Sequence, residues 1–231
     1  GIEHEFPAGI AGKLSYVGSR SVHLDQRSEI NPAWPPGPGS VQARRIYPQF
    51  GALLMSNSEA FATYHALQAE ATKQMSHGLE FLASYTYGKG LDDADQWGGL
   101  SNENSIAQNP YDFHAEYGRT STDLRQRLAI SAMYQLPHFF RNRWLSTAAD
   151  GWQLAGMAVF QTGFPFTVTM SSDVANIGQY ANSERANQIG DPHLAHPTAA
   201  RWFNTAAFAA PAAYTFGSAG RNTLDGPGKR S

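Results

Sequence analysis

The chain contains 231 residues, of which 16% are charged, and its 17 lysines and arginines against 19 aspartates and glutamates give a formal net charge of −2. This near balance excludes a strongly basic nucleic-acid-binding protein, so no nucleic acid is expected as a partner, and it excludes an acidic disordered tail. The absence of cysteine excludes disulfide scaffolds, thiolate zinc sites and cysteine nucleophiles.

The first predicted element is a hairpin. Residues 10–20 alternate between apolar and polar side chains, which is typical of a strand with one apolar face. The apolar side chains of this strand are Ile10, Leu14 and Tyr16, and Lys13 and Ser15 lie on the other face. A shorter segment, residues 2–6, precedes it, and Pro7-Ala8-Gly9 predicts the tight turn between them. The proline-rich residues 31–40 then predict a loop that extends to about Glu59.

Residues 64–73 and 79–87 predict a second hairpin, which Ser76-His77-Gly78 closes. Leu82 is the exception to the alternation of its second strand. The predicted apolar side chains are His65, Leu67, Ala69, Ala71, Leu79, Phe81, Ala83, Tyr85 and Tyr87. A helix over residues 60–75 is the alternative, because good helix formers are frequent there, but no apolar stripe of helical period persists.

The remaining chain alternates between strands and polar connections. Residues 92–122 predict a long loop, and residues 125–136 predict a strand that Pro137 ends. Residues 152–160 predict the next strand, which resumes briefly at 166–170.

The last sixty residues are mostly loop by composition. Short extended pieces are predicted near Trp202–Phe203 and at residues 215–217, within a segment rich in Ala, Asn, Gly and Pro. In total, the chain holds six to eight predicted strands.

The connections differ in length in a regular way. Long connections are predicted at one end of the strands, and short ones at the other. The long ones are 31–58, 92–122 and 171–222, and the short ones are 7–9, 76–78 and 138–150. With aromatic residues near strand ends, this predicts an all-β antiparallel meander of hairpins, a segment of a transmembrane outer-membrane β-barrel with long extracellular loops. A soluble sandwich gives the same alternation, so a soluble extracellular β-rich module, for example one that binds carbohydrate, is the alternative.

No motif in the chain predicts catalysis or a cofactor. The nucleophile elbow, the His-Glu-x-x-His metalloprotease motif, the phosphate-binding loop and the dinucleotide fingerprint are all missing from the sequence. His193 and His196 lack a third clustered ligand, so they do not predict a metal site. The acidic run at Asp92, Asp93 and Asp95 has Trp97 where calcium would need an oxygen ligand. The sequence therefore predicts no enzyme, no catalytic residue, no cofactor and no metal site.

Ligand contact is expected at a few loop residues. Aromatic side chains in loops, such as Trp34, can stack on a ligand or fold a long loop onto itself. Arg125 and Arg127 are two residues apart, so both are expected on the polar inner face of the same strand. The candidate ligand-binding residues are Trp97, Trp202, Tyr111 and Arg125.

Short motifs along nearly the whole chain resemble those of TonB-dependent receptors. The subgroup they resemble is the Oar-like one, which carries an N-terminal carboxypeptidase-regulatory-like domain. The motifs are Leu14-Ser15-Tyr16-Val17-Gly18-Ser19, Tyr64-His65-Ala66-Leu67-Gln68, Ser76-x-Gly78-Leu79, Ala83-Ser84-Tyr85-Thr86-Tyr87-Gly88-Lys89, Asn109-Pro110-Tyr111, Asp123-x-Arg125-x-Arg127, Leu136-Pro137, Gly151-Trp152-Gln153-Leu154-x-Gly156, Gly163-Phe164-Pro165-Phe166, Gly190-Asp191-Pro192, Trp202-Phe203-Asn204 with Phe208, and Phe216-Gly217-x-Ala219-Gly220-Arg221-Asn222. The resemblance implies an outer-membrane receptor that binds a substrate outside and moves it inward with energy relayed by TonB.

The chain departs from this family in its length. Barrels of the family have about 22 strands, which need far more than 231 residues. Residues 1–231 are therefore expected to form a partial β-barrel domain, with no plug and no regulatory-like domain. The expected partners are the outer-membrane lipid bilayer, an unknown ligand, and TonB only through parts of the full-length protein outside this chain.

Overall fold

The structure is a computed structural model that describes residues 1–94, 106–137, 151–180 and 182–230. Its helices are short: α1 (Val41–Arg44) and 3₁₀ turns at Pro7–Gly9, Phe113–Glu116 and Thr205–Ala207. The strands are β1 (Ile2–Phe6), β2 (Ile10–Glu29), β3 (Leu54–Ser76), β4 (Leu79–Asp92), β5 (Gly118–Arg119), β6 (Gln126–Gln135), β7 (Gln153–Gln161), β8 (Pro165–Phe166), β9 (Asn187–Gln188), β10 (Phe208–Ala209), β11 (Leu224–Asp225) and β12 (Lys229–Arg230). Within these ranges, no helix has the length and apolar character needed to cross a membrane.

One antiparallel sheet of eight strands dominates the fold. Its order is β1-β2-β3-β4-β6-β7-β12, and β5 pairs with β4. Neighbours in this order are neighbours in the chain apart from short inserted strands, which is the predicted meander of hairpins. Two small sheets pair β8 with β11 and β9 with β10. Residues 60–75 belong to β3, which is paired on both sides, so the helical alternative for this segment is wrong.

The register places apolar side chains of successive strands side by side. Tyr16 pairs with Leu67, which pairs with Tyr87, and further along the sheet Leu128 pairs with Phe160. Because side chains alternate between faces along a strand, one face collects the predicted apolar set. The apolar face consists of Ile2, Phe6, Ile10, Leu14, Tyr16, Leu67, Phe81, Tyr85, Tyr87, Leu128, Ile130, Tyr134, Leu154 and Phe160.

The opposite face of the sheet is mostly polar. Lys13 pairs with Glu70, and Thr86 pairs with Arg127, which pairs with Gln161. The polar side chains of this face, which we call the polar face, are Glu3, Glu5, Lys13, Ser15, Gln68, Glu70, Thr72, Glu80, Ser84, Thr86, Arg127, Ser131, Gln135, Gln153 and Gln161. Leu82 breaks the pattern here, as the sequence predicts, and the same face also carries the apolar side chains of Val17, Met133, Met157 and Val159.

The apolar face is exposed rather than covered. Tyr16 is 66% exposed and Leu154 is 65% exposed, whereas the largest fully buried apolar side chain, Ile177, lies in a long connection. Burying a large apolar side chain is worth about 1.5–3 kcal/mol relative to leaving it in water. A soluble sandwich would bury this face against a second sheet, but no such layer covers it in the described part of the chain.

The connections at the two ends of the sheet differ as predicted. The pairs Ile10 with Lys73 and Leu79 with Tyr134 bring the turns at 7–9 and 77–78 to the same end as the start of the connection after β6. The predicted short connection at 138–150 itself lies outside the described residues. The three long connections leave from the opposite end, which we call the loop end.

Several predicted boundaries are wrong. β2 continues to Glu29 and β3 begins at Leu54, so this hairpin extends well past its alternating segments through a bulge and polar pairs such as Gln26 with Asn57. The extended pieces predicted at 166–170, near Trp202 and at 215–217 are not strands, apart from Phe166 in β8. The two-residue strands that do form there depend on partners distant in sequence, which local alternation cannot reveal.

Candidate functional site

The long connections at the loop end pack against one another around a polar interior. The fully buried residues here include Glu29, Asn31, Ile177, Glu184 and Asn222. Buried polar groups are costly unless they form hydrogen bonds. The geometry of these groups therefore determines the shape of the loop end.

Two buried side chains fold the first long connection. Asn31 donates its side-chain amide to three backbone carbonyl groups of residues 47–51, at 2.8–3.3 Å. The Glu29 carboxylate accepts from the backbone N–H of Asn31 at 2.8 Å and of Leu53 at 2.9 Å. Arg45 lies 3.7 Å from the same carboxylate. These bonds hold the proline-rich connection against the ends of β2 and β3.

A second buried group joins the other two long connections. Arg185 pairs with Glu116 at 2.6 Å and donates to the Ala219 carbonyl at 2.9 Å. Gln108 accepts from the Arg185 backbone N–H at 3.2 Å and donates to the Gly217 carbonyl at 3.1 Å. Segments 69 and 109 residues apart in the chain are thus held by two side chains, Arg185 and Gln108.

A third group ties the loop end to the sheet. Arg221 pairs with Asp92, the last residue of β4, and burial lowers the pKa of Arg221 to about 10. Arg119 binds the Asp123 carboxylate and the Asp225 carboxylate, each at 2.7 Å. Asp92 therefore serves in an ion pair rather than as a cation ligand. His193 bonds to Asp191, and no three His, Asp or Glu side chains gather into a metal site within the described ranges.

Two carboxyl groups share a hydrogen bond in the last connection. Burial and the side-chain hydrogen bond with Asp173 raise the pKa of Glu184 to about 7. Glu184 also accepts the backbone N–H of Val174 at 2.7 Å. The carbonyl of Ile177, within the turn that this pair shapes, accepts from the N–H of Ala33 at 2.8 Å. The carboxyl pair thus supports the backbone next to Trp34.

Three aromatic rings from different connections meet at the surface of the loop end. The rings of Trp34 and Tyr111 contact edge to face, with centroids 4.5 Å apart, and Phe216 stacks at 6.5 Å from Trp34. Trp34 is 38% exposed and Tyr111 is 56% exposed. We call these three residues the aromatic cluster. Rigid, partly exposed rings offer large contact area for a ligand at low entropic cost.

A family model for an outer membrane beta barrel domain matches residues 1–231. The chain belongs to this outer-membrane β-barrel family. No match was found among curated proteins or among solved structures. The protein lies in the bacterial outer membrane, its apolar face contacts the lipid bilayer, and its long loops are extracellular. The polar face of this barrel segment lines the interior.

The structure describes three of the four sequence-predicted site residues, and these three do not lie together. Tyr111 lies in the aromatic cluster, and Trp97 lies outside the described residues. Trp202 donates to the Asp225 carbonyl at 2.6 Å and lines a recess of about 820 Å³ beside Leu128 and Phe160 of the apolar face. Trp202 is therefore placed where barrels carry their interfacial aromatic residues.

Arg125 also lies away from the aromatic cluster. It precedes β6, lies 3.6 Å from the Asp123 carboxylate, and its guanidinium is 5.9 Å from the ring centroid of Tyr87 on the apolar face. Arg127 instead pairs with Thr86 on the polar face. The expectation that both arginines share the inner face is therefore wrong, because the regular strand begins only after Arg125.

Sequence reasoning missed Phe216 and the partners of the aromatic cluster. The sequence predicts Trp34 as a loop tryptophan, but nothing in the local sequence predicts its contacts with Tyr111 and Phe216. Their meeting depends on the buried polar groups, which connect segments far apart in the chain.

Proposed function

We propose that residues 1–231 act as one barrel segment of an outer-membrane receptor that captures an external ligand at the loop end. The observation that carries this proposal is the ordered polar interior of the long connections. A barrel that only closes the membrane has no need of loops fixed by buried ion pairs such as Arg185–Glu116. A fixed surface preorganises a binding site and reduces the ordering cost of association.

The aromatic cluster is the proposed contact point for the ligand. Tyr111 and Trp34 present partly exposed rings, and such rings bind flat or ring-shaped molecules by stacking. The described rings contact one another edge to face and by stacking, which favours a ligand recognised by its ring faces. The proposal assigns this chain no catalytic residue.

A capture experiment tests the binding proposal. The complete natural protein, in detergent, is incubated with an extract of spent growth medium, and retained compounds are identified by mass spectrometry. Replacing Trp34 and Tyr111 together by Ala should remove a specifically retained compound. Trp152→Ala, at the opposite end of the sheet, is the matched control and should retain it. Equal retention by all three proteins would exclude the aromatic cluster as the binding site.

We further propose that the receptor is energised through TonB, as the resemblance to TonB-dependent receptors suggests. The contact with TonB would be made by parts of the full-length protein other than this chain. Purified periplasmic domain of TonB should bind the complete protein saturably in a surface-plasmon-resonance titration. A general-diffusion porin serves as the control. Failure to bind TonB would reject the coupling while leaving ligand capture at the loops to its own test.

A further inference from the structure

A turn in the last long connection packs against the backbone that carries Trp34. The turn consists of residues 173–178, and we call it the clasp. The carbonyl of Ile177, a fully buried residue, accepts the N–H of Ala33 at 2.8 Å. Asn176 donates its side-chain amide to two carbonyl groups that follow Trp34 in the first connection, at 2.8 and 3.0 Å. The clasp therefore holds the chain on both sides of Trp34.

Two carboxyl groups fix the shape of the clasp. Asp173 accepts the last two backbone N–H groups of the clasp, at 3.0 and 2.6 Å. Glu184, which is 1% exposed, accepts the N–H groups of the two residues after Asp173, at 2.7 and 3.2 Å. The two carboxyl groups also share a hydrogen bond. An ionised carboxylate can only accept, so this bond requires a proton, and the closed clasp contains that bound proton.

The other charged groups that the structure places at the clasp come from the first connection. Arg44 donates to the carbonyl of Asn176, and a Cβ added at Gly178 would lie 2.6 Å from the guanidinium of Arg45. Arg45 also lies 3.7 Å from the Glu29 carboxylate. Arginine is never deprotonated in proteins, and a neighbouring cation keeps a carboxylate ionised. The shared proton of the carboxyl pair is therefore the one that a change of pH removes.

We propose that the clasp is a pH-sensitive device that holds Trp34 in the aromatic cluster in acid and frees it as the pH rises. This inference rests on the proposed function, because it concerns binding at the same cluster. Loss of the shared proton leaves two carboxylates side by side in a buried place, where like charges disfavour each other. The clasp then opens, and the bond between Ile177 and Ala33 breaks. The apparent affinity of the cluster falls with the fraction of protein that stays closed.

The direction and size of the effect follow from proton binding. Burial and the bond with Asp173 raise the pKa of Glu184 from 4.5 to about 7, so the closed clasp binds its proton more tightly than the open one. The advantage of closing is complete below pH 4.5 and is lost as the pH rises to about 7. Between pH 5 and pH 8, the ratio of closed to open clasp should fall about 70-fold.

Hydrogen exchange at residues 31–36 tests the proposal without a ligand. Three of these residues are prolines, so only Asn31, Ala33 and Trp34 have an exchanging backbone N–H. In the complete natural protein in detergent, protection of Ala33 should fall about 70-fold from pH 5 to pH 8, after correction for the intrinsic pH dependence of exchange. Glu184→Gln keeps the hydrogen-bonding groups but has no proton to release, so its protection should stay constant.

His114 supplies the matched control. It is exposed and lies three residues after Tyr111 of the aromatic cluster, and histidine is the usual side chain that changes charge between pH 5 and pH 8. His114→Gln should keep the full fall in protection at Ala33, whereas Asp173→Asn, a second variant of the carboxyl pair, should reduce it. Loss of the fall in His114→Gln, an equal fall in Glu184→Gln, or constant protection in the unaltered protein would each overturn the proposal.

Binding of a flat probe separates the clasp from the binding proposal. Riboflavin, whose fluorescence is quenched by stacking on aromatic rings, is titrated against the complete protein at pH 5 and pH 8. Its dissociation constant should be larger at pH 8, by no more than about 70-fold, and equal at the two pH values in Glu184→Gln. Equal binding by the unaltered protein at both pH values would overturn control of the cluster by pH. Absence of binding at both would count against capture of flat molecules, and exchange at Ala33 would still decide whether the clasp responds to pH.

Discussion

At the scale of single residues, a few buried charged side chains and their partners hold the long connections at the loop end together. Arg185 contacts Glu116 and two backbone carbonyl groups, those of Ala115 and Ala219. Removing one member of such a pair leaves the other charge buried without compensation, which is far more costly than the pair's own net contribution. Single substitutions here should therefore disturb several connections at once.

We expect Arg185→Gln to loosen the loop end while leaving the barrel strands intact. The unpaired Glu116 carboxylate should cost about 3–5 kcal/mol of local stability, which hydrogen exchange would report as lost protection at residues 106–119 and 183–188. Arg201→Gln is the control, because Arg201 is exposed. Unchanged protection in Arg185→Gln would show that this buried ion pair does not hold the connections together.

The carboxyl pair Glu184 and Asp173 predicts a pH-dependent loop. The pKa of Glu184 is raised from 4.5 to about 7, so the folded loop holds a proton that the opened loop releases. Local stability is therefore highest in acid, falls as the pH rises from about 4.5 to about 7, and stays low above that range. Hydrogen-exchange protection of residues 173–178 should fall between pH 5 and pH 8 and should become flat in Glu184→Gln. The same decrease in both proteins would contradict this origin.

At the scale of elements, the strands follow from local sequence and the loops do not. Alternation in residues 64–73 and 79–87 is enough to predict a hairpin, its turn and its apolar side chains, because the period of a strand is a local property. The polar ends of β2 and β3 escaped prediction, since no alternation marks residues 20–29 and 54–63. These ends of β2 and β3 still pair, because the alternating segments of the same two strands, nearer the short turns, already hold them in register.

The two faces of β6 should respond oppositely to charge. Ile130→Lys places a cation on the lipid side near the middle of the strand, which costs about 2–4 kcal/mol in a barrel. Ser131→Lys, one residue later, points to the interior and should cost much less. Urea titration of the complete protein folded in lipid vesicles would measure the difference. Equal destabilisation by the two lysines would mean that the face containing Ile130 does not meet lipid.

At the scale of the whole molecule, the sequence predicts the membrane setting better than the binding surface. The apolar face and the unequal connections are visible in the pattern of residues, and the family match agrees with them. The aromatic cluster was only partly predictable, through Tyr111 and Trp34. Phe216 and the buried groups Gln108 and Arg185 escaped because their contacts span tens of residues, and no local pattern encodes such contacts.

The central claim is that one face of this sheet meets lipid and the other lines the barrel interior. Because the chain has no cysteine, single cysteines can be placed in turn at residues 127–134 of the complete protein, in a cysteine-free background, and spin-labelled in vesicles. Labels at Leu128, Ile130, Ala132 and Tyr134 should be relaxed by oxygen dissolved in the lipid. Labels at Arg127, Ala129, Ser131 and Met133 should respond to a water-soluble nickel complex instead. A clean alternation of period two would confirm the claim, and uniform access of the nickel complex to both sets would contradict it.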